Sequence, residues 1–77
     1  MSPKLPSVSG KSIIRALRKS GFVVDRVKGS HHIMTHRGDP TRCVVVPVHG
    51  NKTLKSGTVR NIIKQTGLSV AEFIDLL

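Results

Sequence analysis

The sequence predicts a small α+β domain in which a three-stranded antiparallel sheet is covered on one face by helices. Three observations support this fold class: an amphipathic helical segment near each end of the chain, three β-branched segments between them, and short turn clusters separating those segments. The length of 77 residues allows one hydrophobic core. We therefore expect an N-terminal arm over residues 1–8, which contains Pro3 and Pro6, and a single domain over residues 9–77.

The helices are predicted from apolar residues spaced three and four apart. The first runs from about Ser9 to Ser20 with Gly21 as its left-handed cap, and the second from about Ser56 to Thr66 with Gly67 as its cap. A capping box over 69–72 opens a short last helix. The apolar positions are Ile13, Ile14 and Leu17 in the first helix, Val59, Ile62 and Ile63 in the second, and Val70, Phe73, Ile74 and Leu77 in the last.

Three strands are expected between the two main helices, over 22–27, 31–36 and 41–48. A turn at Lys28-Gly29-Ser30 separates the first two strands, and the turn cluster 37–40 separates the second from the third. Pro47 predicts an edge position for the third strand, because proline cannot donate to a central ladder. The lone cysteine, Cys43, is expected to be a small residue of the core.

Charge is the dominant feature of the composition. Thirteen Lys and Arg stand against four Asp and Glu, which gives a net charge of +9 and a pI near 11.0. Such a balance favours a polyanionic partner. Since Phe22 and Phe73 are the only aromatic residues other than histidine, the sequence favours tracking of phosphates over stacking of bases.

Other features of the sequence indicate the class of protein and its cellular compartment. No run approaches the ~20 apolar residues of a membrane span, and residues 1–6 have no apolar signal region. A lone cysteine excludes an internal disulfide. We therefore expect a cytoplasmic protein without a membrane partner.

The segment Lys28-Gly29-Ser30-His31-His32 is the candidate site. Glycine lets a phosphate approach the backbone, Ser and Lys can bond or neutralise it, and histidine can transfer a proton near neutral pH. On a strand, His31 and His32 would point to opposite faces. The alternative is that either histidine is a strand residue without a catalytic role, whose ring nitrogens are hydrogen-bonded within the protein.

Two further patterns are weaker. Gly10-Lys11-Ser12 resembles the end of a phosphate-binding loop, but Leu5 stands where that loop requires its first glycine, so we assign it to the first turn of a helix. The four histidines and Cys43 do not have the spacing of a zinc site. We expect no metal and no cofactor.

Several stretches occur together in an order more specific than any one of them: Leu5-Pro6, then 16–22, 28–32, 45–52, 54–60 and 63–68. On these residues, the run from Gly10 to Leu77 resembles the HicA toxins, also called the YcfA or HicA-like mRNA interferases. The resemblance implies a fold like that of double-stranded-RNA-binding domains, and ribosome-independent cleavage of mRNA. It also implies a type II toxin–antitoxin pair with a HicB-type antitoxin as partner.

The resemblance also implies site residues. The family's Gly-Ser-His falls on Gly29, Ser30 and His31, so His31 is expected to be the catalytic histidine, with His32 in reserve. Where many relatives have proline before Gly-Thr, this chain has Ser56, which alters helix stiffness and not the chemistry. A non-catalytic RNA-binding module of the same fold is the alternative function. The expected RNA-binding residues are Lys28, Gly29, Ser30, Lys52, Lys55, Arg60 and Lys64.

Overall fold

The computed structural model describes residues 5–77 and has the predicted element order α-β-β-β-α-α. Residues 1–4 of the predicted arm lie outside the described residues. In the rest of the arm, Val8 is buried and Leu5 packs against the core. The elements are α1 (Gly10–Lys19), β1 (Phe22–Lys28), β2 (His31–His36), β3 (Cys43–Pro47), α2 (Ser56–Thr66) and α3 (Val70–Leu76).

The three strands form one antiparallel sheet in the order β1-β2-β3, so Pro47 lies on an edge strand as predicted. β1 and β2 are joined by a two-residue turn, since Lys28 pairs with His31. Gly29, the first turn residue, has φ +58, and no residue other than glycine in the range 5–77 has a positive φ. These signs are those of a type II′ turn, which needs glycine at this position.

The helices cover one face of the sheet and enclose the core. α1 packs against β1 and β3, α2 packs against β3, and α3 contacts both other helices. Gly10 begins α1 directly against β3, where an added Cβ would collide with the carbonyl oxygen of Pro47. The fully buried large side chains include Ile13 and Leu17 of α1, Ile62 of α2, Phe73 of α3, and Phe22, Met34, Val44 and Val46 of the sheet.

The expectation that Cys43 belongs to the core is wrong, because its side chain is exposed. Cys43 pairs with Thr35, whereas the next residue, Val44, pairs with the buried Met34. Neighbouring residues of a strand point to opposite faces, so Cys43 lies on the face that no helix covers. The third strand is also shorter than predicted, because Thr41 belongs to a turn in which it donates to Asp39 Oδ1.

Within residues 5–77, no helix is long and apolar enough to cross a membrane.

Candidate functional site

β2 has three histidines, and each occupies different surroundings. His31 is exposed, while His32 and His36 are half-buried. His32 lies on the same face as the buried Met34, two residues further along, and His31 therefore lies on the opposite face. This is the arrangement expected of adjacent histidines on one strand.

His31 stands on the uncovered face beside the β1–β2 turn. Its cross-strand partner is Lys28, which is also exposed, and side chains of such a pair have Cβ atoms about 4.5–5.5 Å apart. The N–H of Val48 donates to the carbonyl oxygen of Ser30 at 2.7 Å. This bond fixes the turn against the start of the loop after β3. An imidazole, an ammonium and a tight turn are thus held together on an open surface.

His32 faces the helices and lines a groove of about 420 Å³. Its Nδ1 atom is buried and has no hydrogen-bond partner within residues 5–77. We call this cavity the α1 groove, since one wall is the exposed side of α1. Its polar lining residues are Ser9, Lys11, Arg15, Arg18, His32 and Asn51.

His36 has a structural environment. Its Nδ1 accepts a hydrogen bond from the N–H of Gly38 at 3.0 Å, and its Nε2 lies 2.9 Å from the carbonyl oxygen of Ser20. Because Nδ1 accepts, Nε2 bears the hydrogen and donates. The ring also packs edge-on against Phe22, with centroids 5.0 Å apart. Both ring nitrogens are therefore engaged in holding the turn after β2 against the end of α1.

The predicted RNA-binding residues occupy three parts of the fold. Lys28, Gly29 and Ser30 form the β1–β2 turn beside His31. Arg60 and Lys64 instead line a groove of about 840 Å³ between α2 and α3, and no residue of the β1–β2 turn lines that groove. Lys52 and Lys55 are exposed on the segment between β3 and α2.

Sequence reasoning did not select the cations of α1 as site residues. Lys11, Arg15 and Arg18 all line the α1 groove with His32. Their spacing of four and three places them on one side of the helix, and this was the available signal. The sequence does not indicate which strand residues lie next to this side of α1, because that depends on how α1 crosses the sheet.

His49 lies in the loop after β3. It is exposed and follows Val48, the residue bonded to Ser30, so its backbone borders the β1–β2 turn. Among residues 5–77, no group of three or more His, Cys, Asp and Glu side chains is arranged to hold a metal ion.

The two carboxylates with shifted pKa values lie outside these surfaces. The Thr41 hydroxyl and then its backbone N–H lower the pKa of Asp39. The backbone N–H of Ser69, and then its hydroxyl, lower the pKa of Glu72. Both shifts come from local turn or cap hydrogen bonds that favour the ionised form. They are features of folding and not of the candidate site.

The chain matches a known protein-family model. The family model described as HicA toxin of bacterial toxin–antitoxin matches residues 10–68, a range that includes the three strands and the first two helices. A search of curated proteins found no match.

Proposed function

Since the chain belongs to the HicA toxin family of bacterial toxin–antitoxin systems, we propose that this toxin is an endoribonuclease that cleaves mRNA without the ribosome and without a metal ion. The observation that supports this most directly is the position of His31. It is exposed on the uncovered face of a chain with net charge +9, paired across the strand with Lys28.

The proposed reaction uses the 2′-hydroxyl of the RNA as the nucleophile. A base takes the proton of this hydroxyl, the 2′-oxygen forms a bond to phosphorus, and the bond from phosphorus to the 5′-oxygen breaks. An acid gives a proton to the departing 5′-oxygen. The products are a 2′,3′-cyclic phosphate and a 5′-hydroxyl, so no water and no redox partner is consumed.

The residues of the β1–β2 turn fit this reaction. We assign His31 as general base or general acid, and Lys28 with the backbone N–H of Gly29 as the groups that hold the phosphate. An ammonium near the phosphorus stabilises the charge that develops in the transition state. Lys52, Lys55, Arg60 and Lys64 are proposed to guide the rest of the RNA backbone.

The proposed partner is a HicB-type antitoxin that covers the face on which His31 lies. This face combines cationic residues with partly exposed aliphatic ones, such as Val45 at 39% exposure. A mixed surface of this kind suits a protein partner with acidic side chains around an apolar centre. Covering it would exclude RNA from His31.

The test is digestion of a purified RNA in the presence of EDTA, followed by analysis of the product ends. We expect cleavage to 2′,3′-cyclic phosphate ends by the unmodified chain, and a loss of at least about 100-fold in rate for His31→Ala, the size typical of a general acid or base. His36→Gln provides the matched control, as it removes an imidazole from the same strand on the other face.

Three outcomes would reject parts of the proposal. Full cleavage by His31→Ala would reject the assignment of the histidine. Loss of cleavage in EDTA that returns with a divalent cation would reject the metal-independent reaction. RNA binding without cleavage at any concentration of the protein would support the alternative, a non-catalytic RNA-binding module.

A further inference from the structure

The α1 groove is a concentrated cationic surface on the side of the sheet opposite His31. Three of its lining residues are Lys11, Arg15 and Arg18, and none of the residues that line it in the described part of the chain is acidic. Like charges held this close repel each other. An anionic ligand in the groove would relieve this repulsion.

The spacing of these cations suits a ligand with repeated charges. Lys11 and Arg18 are seven residues apart on one helix, which places them about 10.5 Å apart along its axis at ~1.5 Å per residue. A stacked nucleic-acid strand rises about 3.4 Å per nucleotide. The three cations therefore match the backbone of about three consecutive nucleotides.

His32 adds a directional donor to this surface. Because Nδ1 is buried without a partner, a ligand can reach the ring only through Nε2. With its hydrogen on Nε2, the imidazole can donate to a phosphate oxygen, while Nδ1 keeps only a lone pair. Asn51 and Ser9 supply further polar groups on the same lining.

From these observations we propose that the α1 groove is a second RNA site, which holds the ribose-phosphate backbone next to the bond cleaved at His31. The inference rests on the proposed endoribonuclease function and extends it. His31 and His32 are neighbours on β2, and the edge strand β1 pairs with them through Lys28 and Val27. An RNA strand that crosses this edge passes from one histidine to the other. This continuity, with the regular spacing of the cations, favours RNA over an acidic protein segment.

The first experiment measures binding of a 12-nucleotide single-stranded RNA by fluorescence anisotropy, in a His31→Ala chain that does not cleave. Lys11→Gln and Arg18→Gln are introduced singly and together. The matched control is Lys19→Gln, on the same helix, because the Lys19 ammonium donates instead to the carbonyl oxygen of Leu76 at 2.9 Å.

We expect the double variant to bind about tenfold more weakly or worse at 100 mM salt. The slope of log affinity against log salt should decrease by about 1.4, at ~0.7 for each phosphate contact on a single strand. Lys19→Gln should remain within about twofold of the parent chain, because it makes no phosphate contact to lose. Replacing His32 with Gln should retain more affinity than replacing it with Leu, because the amide can still donate.

A second experiment measures kcat/KM in the chain with His31 intact. For the 12-nucleotide RNA, we expect the groove variants to lose as much in kcat/KM as they lose in affinity. For a dinucleotide, which is too short to reach the groove, the groove variants should have the same kcat/KM as Lys19→Gln. Thermal unfolding of each variant controls for folding.

The outcomes separate this inference from the function on which it rests. If the chain with His31 intact cleaves RNA but the groove variants bind and cleave RNA like Lys19→Gln, the groove is not an RNA site. If the groove variants bind a purified antitoxin more weakly but bind RNA as Lys19→Gln does, the groove belongs to an acidic protein, and the inference is again overturned. If the chain with His31 intact binds RNA without cleaving it, while the groove variants lose binding, the endoribonuclease function fails and the groove remains an RNA site.

Discussion

His36 has a structural role on β2, whereas His31 and His32 on the same strand belong to the proposed RNA-binding surfaces. Both of its ring nitrogens are engaged with backbone groups, and the ring contacts Phe22. We expect His36→Leu to lower the free energy of unfolding by about 1–3 kcal/mol, because it leaves the partners of two hydrogen bonds unsatisfied. Denaturant unfolding measures this loss.

RNA cleavage by His36→Leu, corrected for the folded fraction, should equal that of the unmodified chain. The matched comparison is His31→Ala, for which we expect native stability and lost cleavage, since His31 is exposed. A His36 variant that kept its stability but lost cleavage would contradict the structural role assigned here.

Cys43 gives a second prediction for a single residue. Because its side chain is exposed, Cys43→Ser should change the free energy of unfolding by no more than about 0.5 kcal/mol. Met34→Ala, on the covered face of the adjacent strand, should cost about 2–5 kcal/mol, because Met34 is fully buried. Equal losses for the two variants in denaturant unfolding would contradict the assignment of the faces.

The sequence could not decide which face Cys43 occupies. The run 43–46 is apolar at every position, so alternation between polar and apolar residues is missing and the phase of the strand is undetermined. The same limit applied to the histidines: alternation placed His31 and His32 on opposite faces but did not say which of them meets the helices. Pairing with Met34 and packing of α1 settle both questions.

Among the elements, α1 depends on a glycine at its first position. A Cβ at Gly10 would collide with the carbonyl oxygen of Pro47 and lie about 3.0 Å from the side chain of Val48. We expect Gly10→Ala to lower the free energy of unfolding by about 1–3 kcal/mol, the usual cost of overpacking. Thermal or denaturant unfolding of the purified variant measures this.

Gly57 provides the control for that change. It lies in the first turn of α2, and an added Cβ there would meet nothing within 4 Å. Gly57→Ala should therefore stabilise the protein, by up to about 1 kcal/mol, through the helix propensity of alanine. If both substitutions changed the free energy of unfolding in the same direction, contact with β3 would not explain the glycine at the start of α1.

The capping box of α3 makes stability depend on pH. The N–H of Ser69 donates to Glu72 Oε1 at 2.9 Å, and the N–H of Glu72 donates to Ser69 Oγ at 3.0 Å. The backbone N–H of Ser69, and then its hydroxyl, lower the pKa of the Glu72 carboxyl below its ordinary value of 4.5. A carboxyl group whose pKa is lower in the folded state than in the unfolded state stabilises the protein at pH values above its unfolded-state pKa. This stabilisation is lost as the pH falls through the folded-state pKa.

We therefore expect melting temperatures to fall as the pH decreases below about 4.5, and Glu72→Gln to weaken this dependence, because glutamine does not titrate. Ser69→Ala should lower the free energy of unfolding by about 1 kcal/mol at neutral pH, as expected for an N-cap serine. A pH dependence identical in Glu72→Gln and the unmodified chain would exclude Glu72 as its source.

The order of the elements was predictable because each has a local signal: helical spacing in α1 and α2, the box at Ser69 and Glu72, and glycine at the turns. The α1 groove was not, because it arises where α1 crosses β1 and β3. Lys11 and His32 are 21 positions apart in the sequence, and no local pattern relates them. Only the packing of helix on sheet brings them to one cavity.

Across the residues that the structure describes, the proposed RNA-binding cations of the helices lie in two separate grooves. One is the α1 groove, and the other is the groove between α2 and α3 that Arg60 and Lys64 line. The longest dimension of the protein is 34 Å. At about 3.4 Å per nucleotide, a stacked strand needs about ten nucleotides to extend that far.

The contribution of Arg60 and Lys64 should therefore depend on the length of the RNA. In the His31→Ala chain, we expect the double variant Arg60→Gln/Lys64→Gln to bind a five-nucleotide RNA as the parent does. It should bind a 20-nucleotide RNA more weakly, with the salt slope reduced by about 1.4, since two phosphate contacts are lost at ~0.7 each. Lys19→Gln again serves as the control, because it removes a positive charge that has no proposed phosphate contact, and anisotropy titrations at several salt concentrations give the slopes. An equal loss for both RNAs would mean that α2 lies on the same short path as His31, whereas no loss for either would remove Arg60 and Lys64 from the RNA-binding surface.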